Sequence, residues 1–178
     1  MREPNSAVRD LTLAAISRDP LAWLAALCDQ RRRLSGLLDA IADGLDPDAP
    51  TAVPAITWLH DDFTLLFRDE ADDLFPLLRS RARRDDDFAP IMQRLESDHD
   101  GLAGQARNVL AGLAPLRVAK NPASREAGLV AGLRDLADRD RLHCAMLCAV
   151  ILPIARLRLE ARDLMQLSAA LQQRRAPS

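Results

Sequence analysis

Apolar residues recur at helical spacing along most of the chain, and prolines and glycines punctuate the pattern. Asp19 followed by Pro20 predicts a helix start, because an aspartate N-cap and a proline at the first helical position suit the first turn. Apolar positions then continue from Leu21 to Ile41. A second segment, from Thr51 to about Arg83, carries one continuous apolar stripe, and we expect a kink at Pro76 within it.

The same helical spacing of apolar residues predicts three further helices. A third helix is predicted to open near Pro90, and the stretch from Pro115 to Pro122 is predicted to be a loop. A fourth helix carries apolar residues from Leu129 to Leu157, and the stretch from Glu160 to Arg175 predicts a short fifth helix. Long amphipathic helices joined by short connectors are typical of an up-and-down bundle.

Composition agrees with a helical protein. Hydrophobic residues make up 48% of the 178 residues but aromatic residues only 3%, and tyrosine is absent, so the core must consist of Leu, Ala, Ile and Val. This composition argues against a β-sandwich. We therefore predict an all-α fold, an up-and-down four-helix bundle with a short C-terminal fifth helix. Residues 1–18 are interpreted as an N-terminal extension and residues 19–178 as the bundle domain.

Charge and targeting signals exclude several classes of partner. The 24 Lys and Arg residues and the 26 Asp and Glu residues are interspersed, so no basic face indicates nucleic acid or an acidic membrane as a partner. The chain begins without an apolar signal segment, and no apolar run approaches the roughly 18 residues of a membrane span. We interpret the protein as soluble and cytoplasmic. An odd number of cysteines, three, favours reduced thiols.

Two stretches repeat one pattern 77 residues apart, residues 74–81 and residues 151–158. Glu70 stands six residues before the proline of the first copy, and His143 stands ten residues before the proline of the second. The second copy has leucine at the position that matches Glu70, and the first copy has leucine at the position that matches His143. Because His and Glu at i and i+4 point from one helix face to a common point, the repeat indicates a metal-ligating pair of which each copy keeps one half.

Projection at helical spacing places Glu70, His99 and His143 each at the centre of an apolar stripe. A buried, unpaired carboxylate costs several kcal/mol, roughly, so these three polar groups are expected to meet each other or a cation. The three residues can therefore be interpreted either as a metal site or as a Glu/His hydrogen-bond network. Cys28 also faces the core, and Cys144 and Cys148 share a face that is turned away from His143.

The chain resembles the hemerythrin-like proteins, also called HHE cation-binding domains, over about residues 19–175. The motifs that carry the resemblance are residues 19–23, 69–78, 98–99 and 143–155. The resemblance implies a four-helix bundle built around an oxo- or carboxylate-bridged di-iron centre. Three of the family's ligand positions keep their residue, namely Glu70, His99 and His143. Three others are replaced, with Cys28 and Leu66 in place of histidine and Leu147 in place of glutamate.

These replacements change the implied chemistry. A complete di-iron centre is not expected, since one carboxylate cannot balance two iron ions. The retained two-histidine, one-carboxylate set suits a single divalent ion, iron or zinc, with Cys28 as a possible fourth ligand. We predict a cytosolic binding or sensing protein and not an enzyme. The alternatives are a metal-free bundle that serves protein interaction or homodimer formation, and a non-haem iron oxygenase or peroxide-reactive enzyme.

Overall fold

The computed structural model describes residues 12–44, 46–83, 86–119 and 127–176, and all of their regular structure is helical. The prediction of an all-α fold is confirmed for this part of the chain. The helices outside the repeated motifs are α1 (Thr12–Arg18), α2 (Pro20–Ala42), α3 (Val53–Asp61), α5 (Ala89–Ala119) and α7 (Ala161–Arg175). Helix α4 comprises Leu65–Arg68, a π-helical turn Asp69–Leu74 and Phe75–Arg81. Helix α6 comprises Ala127–Met146, a π-helical turn Leu147–Ile151 and Leu152–Arg158.

Local sequence signals account for the ends of two helices. Asp19 caps α2, with its carboxylate oxygen Oδ1 accepting a hydrogen bond from the Ala22 amide at 2.9 Å. The chain leaves the other end of α2 through Gly44, whose positive φ of 121° suits a residue without a side chain. Helix α7 begins with a capping box, in which the Glu160 and Asp163 side chains each accept from the other's backbone N–H.

Two of the predicted boundaries are wrong. The segment from Thr51 to Arg83 is broken between Asp61 and Leu65, so it forms α3 and α4 and not one helix. The loop predicted to begin at Pro115 does not begin there, since α5 continues to Ala119. Proline removes one backbone hydrogen bond from a helix, and a helix held by packing elsewhere can continue across it. Residues 120–122 of the predicted loop lie outside the described residues.

The two repeated motifs adopt the same distorted helix. The Phe75 amide donates to the Glu70 carbonyl, and the Leu152 amide donates to the Leu147 carbonyl, in both cases across five residues. Proline follows directly, at Pro76 and Pro153. Because proline lacks an N–H and its ring crowds the carbonyl four residues earlier, a wider turn in front of it relieves the conflict. The distortion thus occurs where a kink is expected at Pro76, and the second copy of the repeat reproduces it.

Helix α6 is the central element of the packing. It lies along α2 and α5, and its last segment also contacts the last segment of α4. Helix α3 packs on α2 and α5, while α7 packs on α1, α2 and the π-helical turn of α4. The predicted N-terminal extension contributes to this packing, because Ile16 of α1 is fully buried in the core.

A polar layer divides the hydrophobic core into two clusters. Along α2, Cys28 belongs to the first cluster and Leu38 to the second, and along α6 the corresponding residues are Cys144 and Ala137. Buried polar side chains occupy the positions between the clusters: Arg31 and Ser35 on α2, Glu70 on α4, and Asp140 and His143 on α6. His99 takes the equivalent place on α5, between Leu95 and Leu102. The predicted ligands Glu70, His99 and His143 all lie in this layer.

None of the helices within the described ranges combines the length and the apolar character that crossing a membrane requires.

Candidate metal centre

Three helices contribute one polar residue each to a common point in the polar layer. Glu70 lies on the π-helical turn of α4, His99 in the middle of α5, and His143 on α6, four residues before its π-helical turn. The Glu70 side chain is fully buried, that of His143 is 1% exposed and that of His99 is 11% exposed. The sequence prediction that these three side chains meet in the core is therefore confirmed.

The distances fit a set of metal ligands. His143 Nε2 lies 3.0 Å from both Glu70 Oε1 and Glu70 Oε2, and His99 Nε2 lies 3.0 Å from Oε2. Two ligand atoms that each lie about 2.1 Å from one ion would be about 3.0 Å apart at right angles and about 3.4 Å apart in a tetrahedral site. A separation of 3.0 Å is also an ordinary hydrogen-bond length. Within the described part of the chain, these residues form the one group of three or more His, Cys, Asp and Glu that could hold a metal ion, with ligand atoms within 4.8 Å of one another.

The electrostatics of the cluster favour an ionised carboxylate. Burial by itself would raise the pKa of Glu70, but the charge and hydrogen bonds of His143 and His99 outweigh it and lower that pKa to about 2. With both imidazoles neutral, the buried cluster carries one negative charge. Either a proton on an imidazole or a bound cation can balance it.

His143 keeps one nitrogen without a partner. Its Nδ1 is buried and has no hydrogen-bond partner among the described residues. When Nε2 carries the proton and donates to Glu70, this leaves a buried lone pair unsatisfied, which costs about 1 to 3 kcal/mol. Both carboxylate oxygens of Glu70 therefore have hydrogen-bond partners, whereas one nitrogen of His143 has none among the described residues.

Aromatic rings fix the planes of the two imidazoles. Phe67 stacks on His99 with 4.7 Å between ring centroids and 19° between planes, and it meets His143 edge-on at 5.4 Å. Phe75 lies almost parallel to His99 at 6.4 Å. These contacts orient both Nε2 atoms toward Glu70. Phe67 was not singled out from the sequence.

The two leucines at positions where the resemblance implies metal ligands are core residues. Leu66 on α4 is 1% exposed and Leu147 on α6 is fully buried, and both belong to the first hydrophobic cluster. Each lies four residues from a retained ligand, Leu66 from Glu70 and Leu147 from His143. Apolar volume therefore stands beside the cluster where the resemblance places two further ligands.

Cys28 lies with the other two cysteines. Its thiol interacts with those of Cys144 and Cys148, which raise its pKa, and it does not belong to the group formed by Glu70 and the two histidines. Its role as a fourth ligand stays a prediction.

A second buried cluster shares the polar layer and was not predicted. The Arg31 guanidinium donates to Asp140 Oδ1 through Nε at 3.1 Å and through Nη2, and Nη1 donates to the Phe63 carbonyl at 2.8 Å. Ser35 Oγ donates to the other Asp140 oxygen at 2.9 Å. Burial lowers the pKa of Arg31, but the Asp140 charge outweighs this and raises it. A signal existed in the sequence, because Arg31 and Ser35 stand on the core-facing stripe between Cys28 and Leu38.

The guanidinium of Arg31 also lies over aromatic rings. Its carbon is 4.7 Å from the centroid of Phe63, 5.3 Å from Trp58 and 5.2 Å from Phe67. Since Phe67 also stacks on His99, one ring touches both buried clusters.

A third ion-pair group joins α7 to α4. Asp69, next to Glu70 and fully buried, accepts hydrogen bonds from Arg174 and Arg175. Burial raises the pKa of Asp69 even though both arginines stabilise its charged form. Arg175 also lies 4.3 Å above the Trp23 ring of α2. No sequence pattern predicted that a C-terminal arginine would pair with Asp69.

Comparison of the chain with protein-family models, with curated proteins and with solved structures finds no match in any of the three.

Proposed function

We propose that this protein is a binding or sensing module that holds one divalent ion, iron or zinc, through Glu70, His99 and His143. The observation that carries the proposal is the convergence of one carboxylate and two imidazole nitrogens, from three helices, inside the core, with each nitrogen 3.0 Å from a carboxylate oxygen. Two histidines and one carboxylate on one side of an ion leave other coordination positions open. Open positions would allow a small ligand to be sensed.

The proposal includes a hemerythrin-like arrangement in which α2, α4, α5 and α6 form the four helices around the site. Support comes from the packing of α2 and α5 on α6 and from the matching π-helical turns of α4 and α6. A di-iron centre is not part of the proposal, because Leu66 and Leu147 offer no ligand atoms. Protein loaded anaerobically with ferrous iron and then exposed to air should show no absorption from an oxo-bridged iron pair, and such a spectrum with two irons per chain would contradict it.

Metal content and thermal melting test the proposal directly. Full-length protein purified without chelators should contain close to one ion per chain by elemental analysis. After stripping, zinc at about 100 times its dissociation constant should add about 2.7 kcal/mol of stability, which corresponds to about 5 to 10 °C in Tm for a chain of this size. His143→Ala should abolish this shift, whereas the matched variant His60→Ala, at an exposed histidine, should keep it.

A metal-free module for protein interaction or dimerisation is the second candidate. It is favoured by the hydrogen bonds that Glu70 already makes through both oxygens, since they satisfy the buried carboxylate without an ion. Leu157 and Met165, which are 75% and 67% exposed, offer apolar surface to a partner. A metal-free preparation, with identical melts in zinc and in chelator, would leave this candidate in place of the first.

A further inference from the structure

The cysteines meet at the contact between α2 and α6, where the three side chains differ in burial. Cys28 comes from α2, and Cys144 and Cys148 come from α6, four residues apart. All three pack in or against the first hydrophobic cluster, and the Cys28 thiol interacts with both of the others. Cys28 and Cys144 are fully buried, while Cys148 is partly exposed. Solvent therefore reaches one thiol, and that thiol has a buried partner beside it.

The local electrostatics distinguish Cys148 from Cys28. Interactions with the Cys28 thiol and with the nearby Arg32 guanidinium lower the pKa of the Cys148 thiol. Interactions with the Cys144 and Cys148 thiols, together with burial, raise the pKa of Cys28. Thiols that react with oxidants are accessible, form the thiolate readily and often lie next to a second thiol that resolves the first product. Cys148 is the accessible thiol with the lowered pKa, and Cys28 is the second thiol next to it.

We propose that Cys148 and Cys28 form a peroxide-sensitive thiol pair that closes to a disulfide between α2 and α6. The Cys148 sulfur attacks one peroxide oxygen, so that an S–O bond forms, the O–O bond breaks, and water leaves with the Cys148 proton. The Cys28 sulfur then attacks the Cys148 sulfenic acid, forming the S–S bond and releasing a second water that carries the Cys28 proton. Two thiols lose two electrons in total, and one hydrogen peroxide becomes two waters.

The arrangement favours a disulfide over coordination of an ion by three sulfurs. Binding one ion needs three ligand atoms close together, and within the described residues only Glu70, His99 and His143 meet that condition. A disulfide needs a single pair. Between the two pairs that Cys28 can make, the one with Cys148 contains the accessible sulfur.

Thiol counting and peptide mapping on the full-length protein test this pair. Reduced protein in a strong chelator, which removes iron-dependent peroxide chemistry, is treated with one equivalent of hydrogen peroxide, denatured and alkylated. Alkylatable thiols should fall from three to one per chain, and mass spectrometry should find Cys28 linked to Cys148 in the monomer. Three remaining thiols, a link that involves Cys144, or links only between chains would overturn the proposal.

Single variants separate the two roles, after circular dichroism has shown that each is folded. Cys148→Ser should lose the reaction with peroxide. Cys28→Ala should stop at the sulfenic acid, which dimedone traps as an adduct on Cys148. Cys144→Ala is the matched control on the same helix and should still form the link between Cys28 and Cys148. A Cys28→Ala protein without the adduct would contradict the assignment of Cys148 as the attacking thiol.

Discussion

The two buried clusters of the polar layer differ in how completely their charges and hydrogen bonds are satisfied. Arg31 and Asp140 form a neutral pair, and Ser35 and the Phe63 carbonyl occupy their remaining positions. Glu70 and its two histidines carry an unbalanced negative charge unless a proton or cation joins them, and His143 Nδ1 has no partner in the described part of the chain. A closed cluster of the first kind is suited to holding helices together. An open one of the second kind is suited to binding.

Removing one partner of the closed cluster should have the largest effect. Asp140→Ala leaves the Arg31 guanidinium buried and unpaired, which should lower the free energy of unfolding by about 3 to 5 kcal/mol. Asp138→Ala on the same helix is the control, because Asp138 is exposed and its pair with Arg141 should contribute less than about 1 kcal/mol. Urea denaturation measures both. Equal losses in the two variants would mean that the Arg31 pair is not closed as described.

Acid should act on the open cluster next. Because the folded pKa of Glu70, about 2, lies below its ordinary value of 4.5, the cluster stabilises the fold above about pH 4.5 and loses that contribution as the pH falls toward 2. We expect a loss on the order of 2 to 3 kcal/mol between about pH 5 and about pH 2.5, measured as the difference between wild type and Glu70→Gln. A difference that does not change with pH would show that Glu70 is not held ionised.

At neutral pH, the open cluster should tolerate loss of its charge. Glu70→Gln in metal-free protein should lower the free energy of unfolding by about 1 to 2 kcal/mol, because the amide oxygen can still accept from an imidazole. Glu96→Gln, at a partly exposed glutamate paired with Arg79, is the control and should change stability by less than about 1 kcal/mol. Urea denaturation at neutral pH measures both. If Glu70→Gln cost as much as Asp140→Ala, the distinction between the two clusters would fail.

The smallest effect is expected at the ring that touches both clusters. Phe67→Leu keeps most of the buried volume but removes the stacking on His99, and it should lower the free energy of unfolding by about 1 kcal/mol. Combining it with Glu70→Gln in a double-mutant cycle, measured by urea denaturation, should give an interaction energy of about 0.5 kcal/mol or more. Strict additivity would show that the ring does not position the imidazole.

Helical periodicity was sufficient to predict that Glu70, His99 and His143 meet, because each is the polar member of an otherwise apolar stripe. It could not predict the break between Asp61 and Leu65, since the apolar stripe continues across it in register. The Arg31–Asp140 pair was missed for a different reason. Charged residues are usually solvated, so a charge on a core-facing stripe becomes informative only when its partner on another helix is known.

The link between Asp69 and the C-terminal arginines lies beyond any local pattern. It joins residues 105 and 106 positions apart and depends on how α7 lies against α4. The contact among the three cysteines also depends on how helices pack. The sequence shows that Cys144 and Cys148 lie on one face of their helix, but it does not show that Cys28 of α2 packs against that face. Contacts between helices depend on packing angles, which amphipathic patterns leave open.

The polar layer also defines how the helices are aligned along their length. If α6 slid by one turn, about 5.4 Å, in one direction, Asp140 would take the place of His143 and two carboxylates would face each other. A slide in the other direction would set Leu147 against Glu70, so that the buried carboxylate would lose the His143 partner and keep His99. A core made only of leucine and alanine would accept either shift at little cost. The same residues that can hold an ion therefore also determine the position of α6 along its neighbours. In a variant whose polar layer is replaced by apolar side chains, α6 could shift along α2 and α5 more easily.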